Sequence, residues 1–151
     1  MAYSRTNWVS GETPLSAGNM NNIEDGIEEL INTVGDVSTA SKSTNTSVSA
    51  TGYATICTLS LPAGVYVLTG HVRFASIPAN RISVSVGTSA SPGGEKDGVN
   101  MHYADAAANR NIGMQTSAIV TLSATTTVYL AVYADSNATV SHGVLTAVRL
   151  K

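Results

Sequence analysis

Histidine and cysteine are the side chains in this sequence best suited to bind a metal or act in catalysis, yet their placement favours neither. The three histidines, His71, His102 and His142, fall in separate predicted strands. Because successive residues of a strand alternate between its faces, His71 is expected to face outward and His142 inward, so the set does not converge as a zinc site requires. The single cysteine, Cys57, has no disulfide partner within the chain and is predicted to be an inert, small apolar residue.

The carboxylates and the absence of nucleophile motifs likewise argue against catalysis. Adjacent acids occur on the predicted helix, where they lie on a solvated face, and Glu95 and Asp97 lie in a long loop that would not hold a fixed carboxylate spacing. The sequence contains no Gly-X-Ser-X-Gly elbow, phosphate loop or dinucleotide fingerprint. We therefore expect no enzymatic activity, no cofactor and no metal.

A helix is predicted over residues 16–37, with Ser16 as its N-cap. Its apolar residues recur at alternating intervals of three and four, at Met20, Ile23, Ile27, Leu30, Val34 and Val37. This is the a/d stripe of a helix that supercoils with copies of itself, and it is narrower than the stripe of a helix packed on a globular core. The pattern predicts the stalk of an oligomer. A lone amphipathic helix packed on the following domain is the alternative.

Residues 1–15 precede the helix and carry Tyr3, Arg5 and Trp8, the only tryptophan. The segment is too short to bury these side chains in a core of its own. Aromatic anchors on an extended arm are suited to docking into a groove of another protein. We expect attachment to a partner through this arm, the alternative being that it folds back on the helices of its own oligomer.

The rest of the chain alternates with a period of two. Residues 38–50 are rich in Ser and Thr, lack apolar periodicity and are predicted to be a linker. Residues 51–151 contain short alternating runs separated by turn residues about every ten positions, with no helix between them. This predicts a mainly β fold, an antiparallel jelly-roll sandwich. Residues 87–111 form the exception, a long loop with at most one short strand near residues 99–103.

Three large apolar residues are predicted to face away from the core of this sandwich. Tyr129, Tyr133 and Leu145 lie opposite the core-facing valines of their strands by parity. Such a patch on an exposed face usually marks an interface, so these residues are predicted to join the β-sandwich domains of the oligomer, here called its heads. The alternative is that they are scattered surface residues.

Composition excludes several partners. The net charge of −2 and the 12% content of charged residues, with no basic cluster, argue against nucleic-acid binding. No apolar run is long enough to span a bilayer or to act as a signal peptide, so we expect no membrane partner and synthesis in a cytoplasm.

The residues from Asn7 to Ile27 resemble the N-terminal segment of many tail, baseplate and head-fibre proteins of phages that infect Gram-positive bacteria. Residues 61–72 and 143–150 are similar to parts of the C-terminal jelly-roll heads of such fibres, which share their architecture with C1q and tumour-necrosis-factor trimers. The resemblance implies a homotrimeric virion protein, attached by its N-terminal segment and made in the bacterial host. It implies a short three-helix stalk and a distal head. A secreted cellular role is disfavoured by the absence of a signal peptide.

Two hypotheses remain for the head. It closes the trimer of a structural fibre, with weak or absent host-surface binding, or it is a dedicated receptor-binding domain for cell-surface carbohydrate. The groups in its loops suited to hydrogen-bond or stack on sugars are Asn80, Arg81, Asp97, Asn100, Tyr103, Asn109 and Arg110. Only Tyr103 among them offers an aromatic platform, which favours the structural fibre.

Overall fold

A computed structural model describes residues 17–76, 81–90, 99–103 and 112–150 of the chain, which divides into two compact units, Met1–Asp36 and Val37–Lys151. The described part of the first unit contains the helix α1 (Ala17–Thr33). The strands of the second unit are β1 (Val37–Lys42), β2 (Thr46–Val48), β3 (Gly52–Leu61), β4 (Gly64–Ser76), β5 (Arg81–Gly87), β6 (Val99–Tyr103), β7 (Ile112–Leu122), β8 (Thr126–Ala134) and β9 (Ala138–Arg149). Ser16 and the predicted arm of residues 1–15 lie outside the described residues.

Helix α1 ends one turn earlier than the apolar stripe predicts. The amide of Val34 donates to the carbonyl of Leu30 at 3.1 Å, and Gly35 follows with φ of +89°. A glycine in the left-handed region directly after the last turn is a common helix stop, because other residues are strained there. The prediction that Val37 belongs to the helix is therefore wrong, and Val37 is instead the first residue of β1. The stripe that remains in or beside the helix runs from Met20 to Val34.

The strands form two antiparallel sheets, as the alternating pattern predicts. Sheet A has the order β1-β9-β4-β7, with β2 also paired to β9, and sheet B has the order β3-β8-β5-β6. The chain crosses between the sheets at every connection except β1 to β2 and β5 to β6, which is a jelly-roll path. The short strand expected within the long loop is β6.

The predicted linker of residues 38–50 is instead part of sheet A. Strand β1 pairs with β9 from Val37 opposite Val148 to Lys42 opposite Gly143, and β2 pairs with the start of β9. The segment contributes only Ala40 and the fully buried Val48 to the core, and its other strand positions are mostly Ser and Thr, which edge strands tolerate. The sandwich therefore begins at Val37 rather than at residue 51.

The core lies between the two sheets. Its largest fully buried side chains are Phe74, Leu61, Leu68, Ile82, Leu130, Leu145, Val48, Val72, Val84, Val86, Val128 and Val132. The sheets approach closely at Gly70, where an added Cβ would lie 2.5 Å from Leu130 Cδ1 and Val86 Cγ1. A larger residue there would force the Leu130 and Val86 side chains or the sheets themselves to shift.

Strand β9 changes parity halfway along its length. Arg73 of β4 lies opposite His142, but the next residue, Phe74, lies opposite Val140, so Ser141 is an extra residue in the ladder. Such a β-bulge shifts all later side chains to the other face. Parity counted from Val140 is therefore wrong beyond the bulge: Leu145 is fully buried in the core, and His142 is half-exposed on the outward side.

Candidate interaction surfaces

The first candidate surface is the apolar stripe of α1, here called the helix seam. Met20, Ile27 and Leu30 expose 44%, 52% and 61% of their surface, while Ile23 is half-buried. Ile23, Gly26, Ile27 and Leu30 together line a shallow apolar groove along the helix. Apolar side chains in such a continuous stripe are costly to leave in water, by roughly 1.5–3 kcal/mol for each large residue.

The second candidate surface crosses the outward face of sheet A. Val37 lies opposite Val148, Val148 opposite Val67, and Val67 opposite Ile119, so four apolar residues form one line across β1, β9, β4 and β7. Val37 is 63% exposed and Ile119 is 71% exposed at the two edges. We call this line the valine row. Contiguous apolar residues on an outward sheet face are typical of an interface.

Polar side chains occupy most of the remaining outward face of sheet A, with Val65 and Val144 as apolar exceptions. The line next to the valine row carries four hydroxyl side chains, Thr39, Thr146, Thr69 and Ser117. Further along, Arg73 lies opposite His142 and His71 opposite Val144. Two histidines thus share this face, contrary to the parity prediction for His142. In the part of the chain that the structure describes, no group of three or more His, Cys, Asp or Glu side chains forms a metal site.

The outward face of sheet B carries the two tyrosines that were predicted as interface residues. Tyr129 and Tyr133 are half-buried and alternate with the core residues Val128, Leu130 and Val132. Their outward direction agrees with the parity prediction, whereas the third member of that set, Leu145, lies in the core. The predicted head interface of Tyr129, Tyr133 and Leu145 is therefore wrong in its third residue, because a fully buried side chain has no surface to offer another subunit.

Tyr133 is surrounded by a cluster that draws on three adjacent strands. Its ring centroid lies 5.0 Å from that of Tyr53, its register partner on β3, at an interplanar angle of 50°. The guanidinium carbon of Arg81, the first residue of β5, lies 5.3 Å from the centre of the Tyr133 ring. Both distances fall within the range of favourable aromatic and cation–π contacts. Tyr53 remains 39% exposed.

Asp135 completes this group, which we call the tyrosine–arginine cluster: Tyr53, Arg81, Tyr133 and Asp135. A hydrogen bond to the Asp135 carboxylate raises the pKa of Tyr133, with smaller contributions from burial and from the charge of Asp135, while the Arg81 charge opposes them. The Asp135 amide donates to the carbonyl of Arg81 at 2.9 Å. The cluster therefore places a cation, a carboxylate and two phenol rings side by side.

Of the residues predicted as ligand groups, Arg81 alone has a described side chain. Asn100 and Tyr103 lie in β6, and Tyr103 is the register partner of Arg81. The other predicted ligand residues, Asn80, Asp97, Asn109 and Arg110, lie outside the described residues, as do the predicted attachment residues Tyr3, Arg5 and Trp8. Sequence reasoning missed Tyr53, because nothing local to Tyr53 or Tyr133 indicates that β3 and β8 are neighbours.

Cys57 takes no part in either face. It is buried, its thiol donates to the carbonyl of Gly143 at 3.6 Å, and burial raises its pKa. A thiol held protonated within a core is a poor nucleophile.

No protein-family model matches the chain, and no curated protein matches its sequence. Among solved structures, the chain is similar to one from the "Structure of infectious bursal disease virus Gx strain", with a TM-score of 0.48 and 9% sequence identity. The similarity covers 76% of this chain and 32% of that chain, so this protein spans about a third of the length of the viral chain. Among the described residues, no helix is both long and apolar enough to cross a membrane.

Proposed function

We propose that this protein is a structural component of a bacteriophage virion, a short homotrimeric fibre with α1 as its stalk and the β-sandwich as its head. The observation that carries the proposal is the helix seam, an exposed apolar stripe with heptad spacing in a chain whose sandwich has a complete core of its own. A helix of this kind is stable in water when copies of it cover each other.

The stalk alone is short, since α1 contains 17 residues. Isolated helices of this length are marginal in water, and a few a/d layers give little stability at low concentration. The valine row supports a second contact, in which the heads pack through the outward face of sheet A. Its four residues become buried in that arrangement, and each fully buried Val or Ile contributes about 1.5–3 kcal/mol.

The resemblance of residues 7–27 to phage appendage proteins supports the virion location and an N-terminal attachment to another virion protein. In this proposal Tyr3, Arg5 and Trp8 are the attachment residues. The chain is assigned no catalytic role, cofactor, nucleic-acid partner or membrane partner.

The test is the solution mass of the full chain by light scattering at micromolar concentration. We expect three times 15.5 kDa. Replacing Ile27 by Gln places a polar group in the seam and should shift the mass toward that of one chain. Glu28→Gln is the matched control, since it introduces the same side chain at the next position, off the seam, and should leave the trimer unchanged.

A monomeric wild-type chain would refute the fibre proposal. A trimer that tolerates both substitutions would refute the role of the helix seam and leave the head contact as the source of assembly. A different stoichiometry, such as a dimer, would retain self-association through the seam but contradict the three-helix stalk.

A further inference from the structure

We infer that the tyrosine–arginine cluster on the outward face of sheet B is a binding site for a neutral saccharide. This goes beyond the structural role proposed above and does not depend on it, because every group of the site belongs to a single chain. The inference rests on three features of the cluster: its exposed ring, its two opposite charges and its rigid support.

The exposed ring is that of Tyr53. It lies on β3, at the edge of sheet B, and its neighbours on the outward side of that strand are Thr55, Thr58 and Ser60. These side chains are small compared with a phenol ring, so the ring can be reached from solvent. The C–H-rich face of a pyranose ring packs on an aromatic face, and Tyr53 is 39% exposed.

The two opposite charges are those of Arg81 and Asp135, whose backbones are joined by the bond from the Asp135 amide to the Arg81 carbonyl. The guanidinium supplies only donors and the carboxylate only acceptors, which together match the hydroxyl groups of a sugar, since each hydroxyl both donates and accepts. Arg81 and Asp135 are half-exposed as residues, although the Nε of Arg81 is buried and makes no hydrogen bond. Their charges cancel within the cluster, which favours a neutral saccharide over an anionic one.

The rigid support comes from the backbone around each member of the cluster. Just before Tyr53, the amide of Ala50 donates to Asn137 Oδ1 at 2.9 Å, and the amide of Thr51 donates to the carbonyl of Ala134 at 2.8 Å. The Asp135 amide bonds to the Arg81 carbonyl, and the Arg81 side chain packs over Tyr133. A site held in place before binding loses little freedom when it is occupied.

The test is binding of the full chain to a panel of neutral oligosaccharides built from glucose, galactose, rhamnose and N-acetylglucosamine, with a sialylated and a sulfated set beside it. Binding is followed by NMR, through the ring signals of the tyrosines. We expect at least one neutral oligosaccharide to bind and to shift the signals of Tyr53 and Tyr133.

Variants then locate the site. Tyr53→Ala should weaken binding at least tenfold, whereas Tyr53→Phe, which keeps the ring, should retain most of the affinity. Tyr129→Ala is the matched control: it removes a tyrosine from the same face outside the cluster and should leave binding within about twofold. The thermal unfolding of each variant shows whether the fold is kept.

The inference is overturned if no neutral oligosaccharide in the panel binds, if only the anionic sets bind, or if Tyr53→Ala binds as tightly as the wild-type chain. Binding of a tyrosine-rich or proline-rich peptide to the cluster in place of all saccharides would also overturn it. None of these outcomes bears on trimer formation, which is measured separately by solution mass.

Discussion

The two outward faces of the sandwich differ in what they offer to a partner. Sheet A presents the valine row, a line of aliphatic side chains without hydrogen-bonding groups, flanked by a line of hydroxyls. Sheet B presents the tyrosine–arginine cluster, in which aromatic rings lie beside a cation and a carboxylate. Aliphatic surface gains from being covered completely by another protein, whereas rings beside charged groups suit a ligand that keeps part of its contact with water.

Both faces are supported by one core, and the same alternation produces them. The inward residues of the two sheets are apolar because they must pack against each other, so they carry little information about partners. The outward residues are free of that requirement. The contrast between the valine row and the cluster is therefore not a consequence of the packing of the core.

The largest expected effect comes from a change in the core, which supports both outward faces. Phe74 is fully buried between the sheets, and Phe74→Ala should lower the free energy of unfolding by about 3–5 kcal/mol. Urea denaturation measures this, with the exposed neighbour changed by Ala75→Ser as the control. We expect assembly and saccharide binding to weaken together. Wild-type stability in Phe74→Ala would contradict the packing of the core.

The second-largest effect is expected from a substitution on the outward face of sheet A alone. Ile119→Lys places a charge in the valine row, on edge strand β7, where an apolar contact between copies would be left with an unpaired cation. We expect the mass to fall from three chains toward one at micromolar concentration.

The control for Ile119→Lys is Thr58→Lys, which puts the same side chain on β3, the edge strand of sheet B. It should leave the mass unchanged. The reverse result, with only Thr58→Lys dissociating the trimer, would move the contact to sheet B, where Tyr129 and Tyr133 were predicted to form it.

A smaller effect is expected from Tyr53→Ala on stability. Loss of the Tyr53–Tyr133 pair should lower the free energy of unfolding by about 0.5–1.5 kcal/mol beyond the area term, and should not alter the mass. Chemical denaturation and light scattering of the same sample measure both quantities. A change of mass in this variant would mean that the cluster lies in a subunit contact.

The smallest effect is a shift in one titration. The bond to Asp135 raises the pKa of Tyr133, so folding stabilises the protonated phenol. This contribution to stability is complete below the pKa of an unfolded tyrosine, about 10, and is lost as the pH rises through the higher folded value. Asp135→Asn should lower the pKa of Tyr133 and move the part of the phenolate absorbance change that belongs to Tyr133, at the high-pH end of the curve, to lower pH. An unchanged absorbance titration would show that the hydrogen bond is absent in solution.

Much of the fold could be predicted because it depends on local periodicity. The alternation of Tyr66, Leu68, Val72 and Phe74 gives the buried face of β4 correctly. The fold class followed from the repetition of such runs. Two predictions were wrong because each depended on a single residue. Gly35 ends the helix before Val37, and the bulge at Ser141 reverses the inward and outward sides of the second half of β9. One such residue changes a periodic pattern too little to be recognised.

The candidate sites were less accessible to prediction. Arg81 was selected as a ligand residue and Tyr133 as an interface residue, but the structure joins them in one cluster with Tyr53. For residues 38–50 the sequence predicts a linker, because Ser and Thr residues with few apolar neighbours occur both in loops and on edge strands.

The helix stripe, the two-residue alternation and hence most of the buried positions can be read from the residues in order, since they follow from the geometry of a single helix or strand. Which strands are neighbours becomes known only from the folded chain. Val37, Val67, Ile119 and Val148 are far apart in the chain, as are Tyr53, Arg81 and Tyr133, and each set meets because jelly-roll pairing brings distant strands together. Strand pairing depends on the packing of the whole core, which no local pattern contains.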